Sequence, residues 1–494
     1  MNTPLTVGLI LAASISQILT LISLWQLKEW RLDRLREHLA REGAFMILFG
    51  KIRPLLLLLL FKWPEFLLLA LSLLNLAQIL LRKQRFPVWT SKACAITLLS
   101  IGITTITAFV IFNSQFSIAI PYIQPLIVLL AWMALLPMDI YLKKRILSRA
   151  KQIRLKHPDI TVIGITGSVG KTTTKQLLSH ILADKDIATT PTYVNAEIGV
   201  ARWLIATLEK GDCPKILICE MGAYRKGEIA LLCDAVQPTM GIITLIGTQH
   251  IALFGSQRAL CETKAELIKS LPEDGHAFLN SDSSLCAKIA EQSPCPVTTV
   301  GTGGHADIEA YSIEEISDGI RFTTGDTVFT VPLHGTQNVT NILLAIATAR
   351  ELELDDTTIA SKLRTFSPPE HTFSVRKEGG ITILDDTHNA SPESFKSALA
   401  WARSQPLEHK VLLSAGLIEL GTEQERICSE LGTLASQICD RVIFTTAKAA
   451  EPFAKSLETY EVIDKDTKPI TDQSLLLCIG RMKESTIKHV TSNE

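Results

Sequence analysis

The chain has 494 residues, room for about three domains, and its 49 basic and 50 acidic side chains leave a net charge of −1. That balance excludes a general electrostatic attraction to nucleic acid. A hydrophobic content of 47% is high for an enzyme working in water, and the excess is concentrated in the first third of the chain.

Residues 1–150 read as a membrane-helical region. Leu5 to Leu27 is nearly uncharged and long enough to cross a bilayer. It is followed by Lys28-Glu29-Trp30-Arg31 rather than a small-residue cleavage site, which predicts an anchor rather than a removed signal peptide. Residues 28–53 mix Arg and Lys with acidic residues and Leu, a pattern suited to an interface. Leu55 to Leu81 is apolar except at Lys62-Trp63-Pro64-Glu65, which predicts either one kinked span or a re-entrant piece followed by a span. Ala93 to Phe112 and Ile118 to Leu136 complete a set of three to five spans. Basic residues are abundant at 28–53, 82–92 and 143–156 and absent from 113–117, which puts 82–92 and 143–156 on the cytoplasmic side; 28–53 joins them if 54–81 is a hairpin and faces outside otherwise. The expected location is therefore the inner, cytoplasmic membrane, multi-pass, with membrane lipids as partners and the catalytic domains in the cytoplasm.

After Arg154 strands alternate with helices, which predicts an α/β fold with a parallel sheet and ligands at the carboxyl ends of its strands. Val162 to Ile165 is a short buried strand. Gly167-Ser168-Val169-Gly170 is a close turn, and Lys171-Thr172-Thr173-Thr174 opens a helix. Strand, glycine turn, Lys-Thr and helix together form a phosphate cradle, with backbone N–H groups and a helix N-terminus facing the anion. Lys171 would reach the β- and γ-phosphates, and Thr172 would hold Mg²⁺. Ile165 stands where the common form of this loop has a further Gly. Glu220 ends the strand Ile216 to Cys219, where a carboxylate makes a second hard oxygen ligand for Mg²⁺. His250 follows the strand Gly241 to Thr244, and Lys264 lies on a helix. Ten cysteines are scattered without a Cys-x-x-Cys pair, which argues against a zinc site and for reduced thiols. The last residues, 480–494, are polar and expected to fray.

Together the motifs resemble the Mur ligase family. They are Gly167 to Lys175, Asn195-Ala-Glu197-Ile-Gly199, Glu220-Met-Gly-Ala223, Gly227-Glu228-Ile229, His250 with Phe254-Gly255-Ser256, Lys264-Ala-Glu266 and Asp385-Asp386-Thr387-His388-Asn389-Ala390-Ser391-Pro392. The resemblance covers roughly residues 158–460 and is strongest to the branch adding D-alanyl-D-alanine to a UDP-muramoyl tripeptide. It implies an ATP-dependent amide ligase working through an acyl-phosphate. Beside the membrane domain at 1–150 read from hydropathy, the resemblance implies a P-loop Mur-ligase central domain at 151–368 and a Rossmann-like C-terminal domain at 369–494. By resemblance Gly167, Ser168, Val169, Gly170, Lys171, Thr172 and Thr173 bind the phosphates, while Asn338 and Asn341 read the adenine. Asp386 and Asn389 close over ribose and phosphates. Thr172 and Glu220 hold one Mg²⁺, and His250 with a carbamylated Lys264 matches a second metal site.

Three departures from the family accompany the resemblance. Leu245 replaces a usual Asn. The chain reads Glu370-His371-Thr372 where the family places an Arg facing the γ-phosphate, with Arg376 nearby in sequence. The uridine-nucleotide domain gives way to membrane spans, which predicts a cell-wall precursor acceptor met at the membrane, a lipid-linked one among the candidates, joined to an amino acid or dipeptide such as D-alanyl-D-alanine. Two alternatives stand beside this reading: a ligase of the same fold for another polymer such as poly-glutamate, and an ATP-binding scaffold without turnover. Glu419, in a loop at a later strand end, is a candidate substrate contact.

Overall fold

The computed structural model describes residues 3–50, 52–56, 64–111, 115–211, 213–247, 254–368, 370–388, 391–417 and 420–491. His250, Asn389 and Glu419 lie outside the described residues. The chain forms two compact units, Met1–Lys144 and Arg145–Glu494.

In the first unit the apolar stretches become the helices Thr3–Leu27, Pro64–Leu80, Ser91–Val110 and the start of Gln124–Arg154. Three of them are long and apolar enough to cross a membrane by length and composition, whereas Phe66–Leu80 is shorter. The last helix does not stop at Leu136: it passes through Pro137 and runs on to Arg154. Strong helix formers, Lys, Arg, Leu and Ala, fill residues 142–154 and carry it forward. Inside this unit Arg53 is buried, and its guanidinium donates to Gln17 Oε1 (3.0 Å) and Asn75 Oδ1 (2.9 Å).

The second unit is built on two larger sheets. The first contains β1 (Thr161–Thr166), β2 (Ile187–Thr189), β3 (Ile216–Glu220), β4 (Met240–Ile243), β5 (His276–Asn280), β6 (Val297–Gly301) and β7 (Ile308–Glu309). Its order is β2-β3-β1-β4-β5-β6-β7, with every pairing parallel. Strand alternation divides the core. Val162, Leu217 and Cys219 face one cluster, with the helices Glu197–Leu208, Glu228–Val236 and Gln257–Lys269. Ile163, Ile165 and Ile218 face the other, with Lys171–Ile181 and Asn338–Glu351. Burial on both faces explains the nearly unbroken apolar runs of these strands. From β1 the chain winds to β2 and β3 on one side and then crosses to β4 on the other. The loops after β1, β3 and β4 therefore meet at a topological switch point, where such sheets bind ligands.

A three-stranded antiparallel sheet follows: β8 (Tyr311–Ile316), β9 (Gly319–Thr324) and β10 (Thr327–Val331). Sequence reading did not anticipate it, although Gly319 and Gly325 both take the positive φ that its two turns require. The second large sheet has the order β11-β12-β16-β13-β14-β15, formed by β11 (Ser374–Glu378), β12 (Ile381–Asp386), β13 (His409–Ser414), β14 (Arg441–Phe444), β15 (Glu461–Val462) and β16 (Ser474–Ile479). Its pairings are parallel except for β11 against β12. The expectation of a frayed terminus after 480 is corrected: Glu484–Thr491 is a helix that buries Ile487 and Val490 on this sheet's core.

Arg154 fastens the long helix to the first sheet. It is 4% exposed and donates to the carbonyls of Val236 (3.0 Å), His157 (2.5 Å) and Ile160 (2.9 Å). Removing one partner from buried charge-assisted hydrogen bonds leaves the acceptors unsatisfied. Arg154→Leu should lower stability by about 2–4 kcal/mol, read as a fall in the denaturation midpoint of the full chain. A change under about 0.5 kcal/mol would show that the clamp is dispensable.

Candidate functional site: a phosphate cleft at the sheet's switch point

The turn after β1 owes its shape to two glycines. Gly167 has φ +149, and a Cβ there would lie 2.0 Å from Thr244 Oγ1. Gly170 has φ +91, and its Cβ would lie 2.3 Å from Asn341 Oδ1. Neither position accepts a side chain. The turn is also tied to the end of β4: the Ser168 N–H donates to Leu245 O (2.6 Å), Thr244 Oγ1 donates to Val169 O (2.5 Å), and Val169 bridges Leu245. Leu245 acts here through its backbone, so losing an Asn side chain costs the loop nothing. The helix Lys171–Ile181 starts directly after Gly170, and its first-turn amides have no acceptor within the helix.

Lys171 folds over the turn, donating to Gly167 O (2.9 Å) and Ser168 O (3.1 Å). Burial lowers its pKa, and Glu220 partly opposes that. Glu220 is 4% exposed at the end of β3. Thr172 Oγ1 donates to its Oε2 (3.1 Å), Lys175 Nζ lies 3.1 Å from the same oxygen, and Asn195 Nδ2 donates to Oε1 (3.1 Å). Burial pushes this carboxyl up, but Lys175, Lys171 and Asn195 overcome it, and the net shift is downward. A charged carboxylate beside a threonine hydroxyl is a pair of hard oxygen donors that fits Mg²⁺. Sequence reading missed Lys175 and assigned Asn195 no contact. The signal for Lys175 was its position one helical turn after Lys171, which aims it at the same carboxylate.

Lys264, 3% exposed on the helix Gln257–Lys269, lines the same cleft. Burial, helped by Lys171, draws its pKa down to about 7, against the opposing pull of Glu228 and Glu266. Thr173, Phe254, Thr372, His388 and Arg481 also line this cleft, so the second large sheet contributes to it.

An adjoining pocket is lined by Gly170, Thr173, Asn280, Gln337, Asn338, Asn341, Phe373 and Asp386. The two asparagines orient each other, Asn341 Nδ2 donating to Asn338 Oδ1 (3.0 Å), while Asn338 Nδ2 donates to His334 O (2.8 Å). The structure thus brings Gly167–Thr173, Glu220, Lys264, Asn338, Asn341 and Asp386 around two contiguous cavities.

The neighbouring carboxyls of β12 are in opposite states. Burial would raise Asp385, but Thr387, His371 and Arg376 hold it below the usual range. Arg376 donates to Asp385 Oδ2 (2.6 Å), Glu378 Oε1 (2.8 Å) and Glu484 Oε1 (2.8 Å). It is therefore spent on this cluster, and its nearness in sequence to Glu370-His371-Thr372 does not make it a phosphate ligand. His371, Asp385 and Glu484 also have the grouping of a metal site, but the Arg376 guanidinium already supplies the cation there. Asp386 is 2% exposed, accepts from the Phe373 N–H (3.3 Å), and has no partner for Oδ2 among the described residues. Burial, with the charge of Asp385 adding to it, raises its pKa from 3.8 to about 7. A folded-state pKa above the unfolded one contributes stability below pH 3.8 and loses it as pH rises through 7. Asp386→Asn should therefore gain at least about 2 kcal/mol more at pH 8 than at pH 4, where the unfolded-state carboxyl is close to its titration midpoint, measured as the difference in melting temperature between the two pH values. An equal effect at both would show that Asp386 does not titrate in this range.

Residues 165–349 match the Mur ligase middle domain. The UDP-N-acetylmuramoyl-tripeptide–D-alanyl-D-alanine ligase of Mycobacterium tuberculosis is 33% identical over 307 residues, covering 59% of this chain and 59% of the relative. The ligase of the same name from Escherichia coli K12 is 27% identical over 332 residues, covering 64% of this chain and 71% of the relative. The chain thus spans about three fifths of the length of the mycobacterial relative. Among solved structures, the MurF ligase of Thermotoga maritima in complex with ADP superposes with a TM-score of 0.62 at 25% identity, covering 70% of this chain and 82% of the other. These relatives correct the expected multi-pass inner-membrane location. Each curated one is named for a nucleotide-linked acceptor, a charged molecule carried in water, and the apolar helices of residues 1–150 qualify as crossing segments by length and composition alone. Residues 165–349 are thus similar to the Mur ligase middle domain, and the chain is similar over about three fifths of its length to ligases named for D-alanyl-D-alanine.

Proposed function

We propose that the protein is an ATP-dependent carbon–nitrogen ligase that joins D-alanyl-D-alanine to the carboxylate of a UDP-N-acetylmuramoyl tripeptide in peptidoglycan precursor synthesis. One observation carries the reading. A glycine phosphate turn, a charged Glu220 and a buried Lys264 line a single cleft, and that cleft lies in a chain whose homologues bear this activity in their names. The relatives described above are named for a nucleotide-linked acceptor rather than a lipid-linked one, and poly-glutamate synthesis has no motif here that favours it.

The acceptor carboxylate attacks the γ-phosphorus of ATP, the bond to the β,γ-bridging oxygen breaks, and its electron pair leaves with ADP. The dipeptide amine then adds to the acyl carbon, loses a proton, and expels phosphate. In this scheme Lys171 and the amides of the turn and first helical turn hold the phosphates. Thr172 and Glu220 would hold Mg²⁺, which neutralises phosphate charge when bound. Asn338 and Asn341 would present both donors and acceptors to the adenine edge, and Asp386, with Asn389 by resemblance, would serve the ribose and phosphates. His250 and a carbamylated Lys264 would hold a second metal ion. A lysine with a pKa near 7 is largely neutral at physiological pH, and a neutral amine is the form that takes up CO₂ to become a carbamate ligand. We also retain the division of the second unit at 368/369, with a Rossmann-like domain from 369 onward.

The direct test is phosphate release by the purified full chain with ATP, UDP-muramoyl tripeptide and D-alanyl-D-alanine, with the product weighed by mass spectrometry. Release that needs all three, with a product heavier by one dipeptide minus water, is expected. ATP binding without acceptor-dependent release would favour the scaffold. Lys171→Ala should weaken ADP binding about 10- to 100-fold, the worth of a charge-assisted contact. Lys264→Ala should leave ADP binding intact and reduce turnover at least about 100-fold. Depleting bicarbonate should slow the wild type at pH 8, and added bicarbonate should restore it far less at pH 6, where the amine is protonated. Indifference to bicarbonate at both pH values would remove carbamylation from the scheme.

A further inference from the structure

The phosphate cleft receives a cation from the far end of the chain. Arg481 follows β16, the strand between β12 and β13 in the second large sheet, and projects from a turn fixed on two sides. Gly480 has φ +90, its N–H donates to Asp386 O (3.3 Å), and a Cβ at this position would meet Gly416 O at 3.1 Å. The turn is therefore held at the carboxyl ends of β12, β13 and β16, where a parallel sheet presents its ligand-binding groups. Arg481 lines the cleft of Lys171, Thr172, Glu220 and Lys264, and it also lines the open groove of Tyr193, His371 and His388 beside it.

Three other cations of the region are committed. Lys171 is bonded to the carbonyls of the turn, Lys175 to Glu220, and Arg376 to three carboxylates. Arg481 is exposed and has no ion pair or side-chain hydrogen bond among the described residues. A guanidinium spreads its charge over a planar fork of donors that matches phosphate oxygens. Holding it unpaired at the rim of a phosphate site is useful where negative charge moves during reaction.

Resting on the ligase reading above, we infer that Arg481 is a catalytic residue that contacts the transferring γ-phosphoryl group. It neutralises the equatorial oxygens while the carboxylate–phosphorus bond forms and the bond to the ADP oxygen breaks. No proton moves through it. The cation comes from β16 rather than from the segment 370–376, where His371 and Arg376 are both engaged by Asp385.

The test uses the full chain as wild type, Arg481→Ala and Arg481→Lys, with melting temperature and ADP affinity as controls for folding. Arg481→Ala should bind ADP within about threefold of wild type and lose about 10³-fold in kcat, the scale of an arginine serving phosphoryl transfer. Arg481→Lys should recover part of that loss. Binding of ADP with Mg²⁺ and aluminium fluoride, which mimics the phosphoryl in flight, should weaken at least about tenfold in Arg481→Ala. An unchanged kcat with a raised KM for the dipeptide would overturn the assignment and give Arg481 to the dipeptide carboxylate. If the wild type shows no acceptor-dependent phosphate release, the ligase reading fails. The aluminium fluoride comparison then decides Arg481 alone, and equal affinity in wild type and Arg481→Ala overturns it.

Discussion

The carboxylate of Glu220 is the constraint on which the cleft depends. A buried acid at the end of a parallel strand would ordinarily take up a proton, because the low-dielectric interior penalises its charge. Here Lys175 lies against it, Thr172 and Asn195 donate to it, and Lys171 faces it, so the charge persists. Its partners come from two segments, the helix after β1 and the 195 turn, while Glu220 itself ends β3. Holding one charge in place therefore fixes the relative positions of the turn and two strand ends. The same charge makes the site attractive to a divalent cation, and that cation would compete with Lys175 for the carboxylate. Lys175 keeps the acid ionised until a stronger cation arrives.

The topology explains why these groups converge. Because β1 lies between β3 and β4, the turn that follows it is flanked by Glu220 on one side and Thr244 on the other. Two close approaches then exclude side chains at 167 and 170. The second of them comes from Asn341, on a helix that packs across the opposite face of the sheet. The pocket lined by Asn338 and Asn341 and the glycine turn thus share a wall, and a ligand filling one lies next to the other.

Legibility in the sequence followed the range of the interactions. The turn, Glu220 at a strand end and the apolar strands were readable because each is a local pattern with one physical meaning. The parallel sheet followed from alternation of those strands with helices. What escaped depended on distant partners. Lys175 is an ordinary helix residue until Glu220, 45 positions later, is brought against it. Arg376 looked available because its strand was visible but Glu484 was not known to be opposite. The helix Glu484–Thr491 was missed because its apolar content is just Ile487 and Val490, enough to dock on a preformed sheet but too little to announce a helix. The long N-terminal apolar stretches carried a different error. Length and hydropathy measure the capacity to cross a bilayer, and capacity was read as location.

Asp385 and Asp386 show how one short motif divides two tasks. Adjacent residues of a strand point to opposite faces, so the same chemical group meets two environments. Asp385 meets Arg376, His371 and Thr387 and stays charged, tying β11, β12 and the last helix together. Asp386 meets the nucleotide-side pocket with one oxygen unpartnered among the described residues, so burial acts on it almost unopposed. A charge on Asp385 further disfavours a charge on Asp386, so the structural acid keeps its neighbour near its titration point. A carboxyl in that state can donate a hydrogen bond when protonated and accept two when ionised. It therefore suits a position facing hydroxyls on one side and phosphate charge on the other, where a permanently ionised acid would repel what the cleft is built to hold.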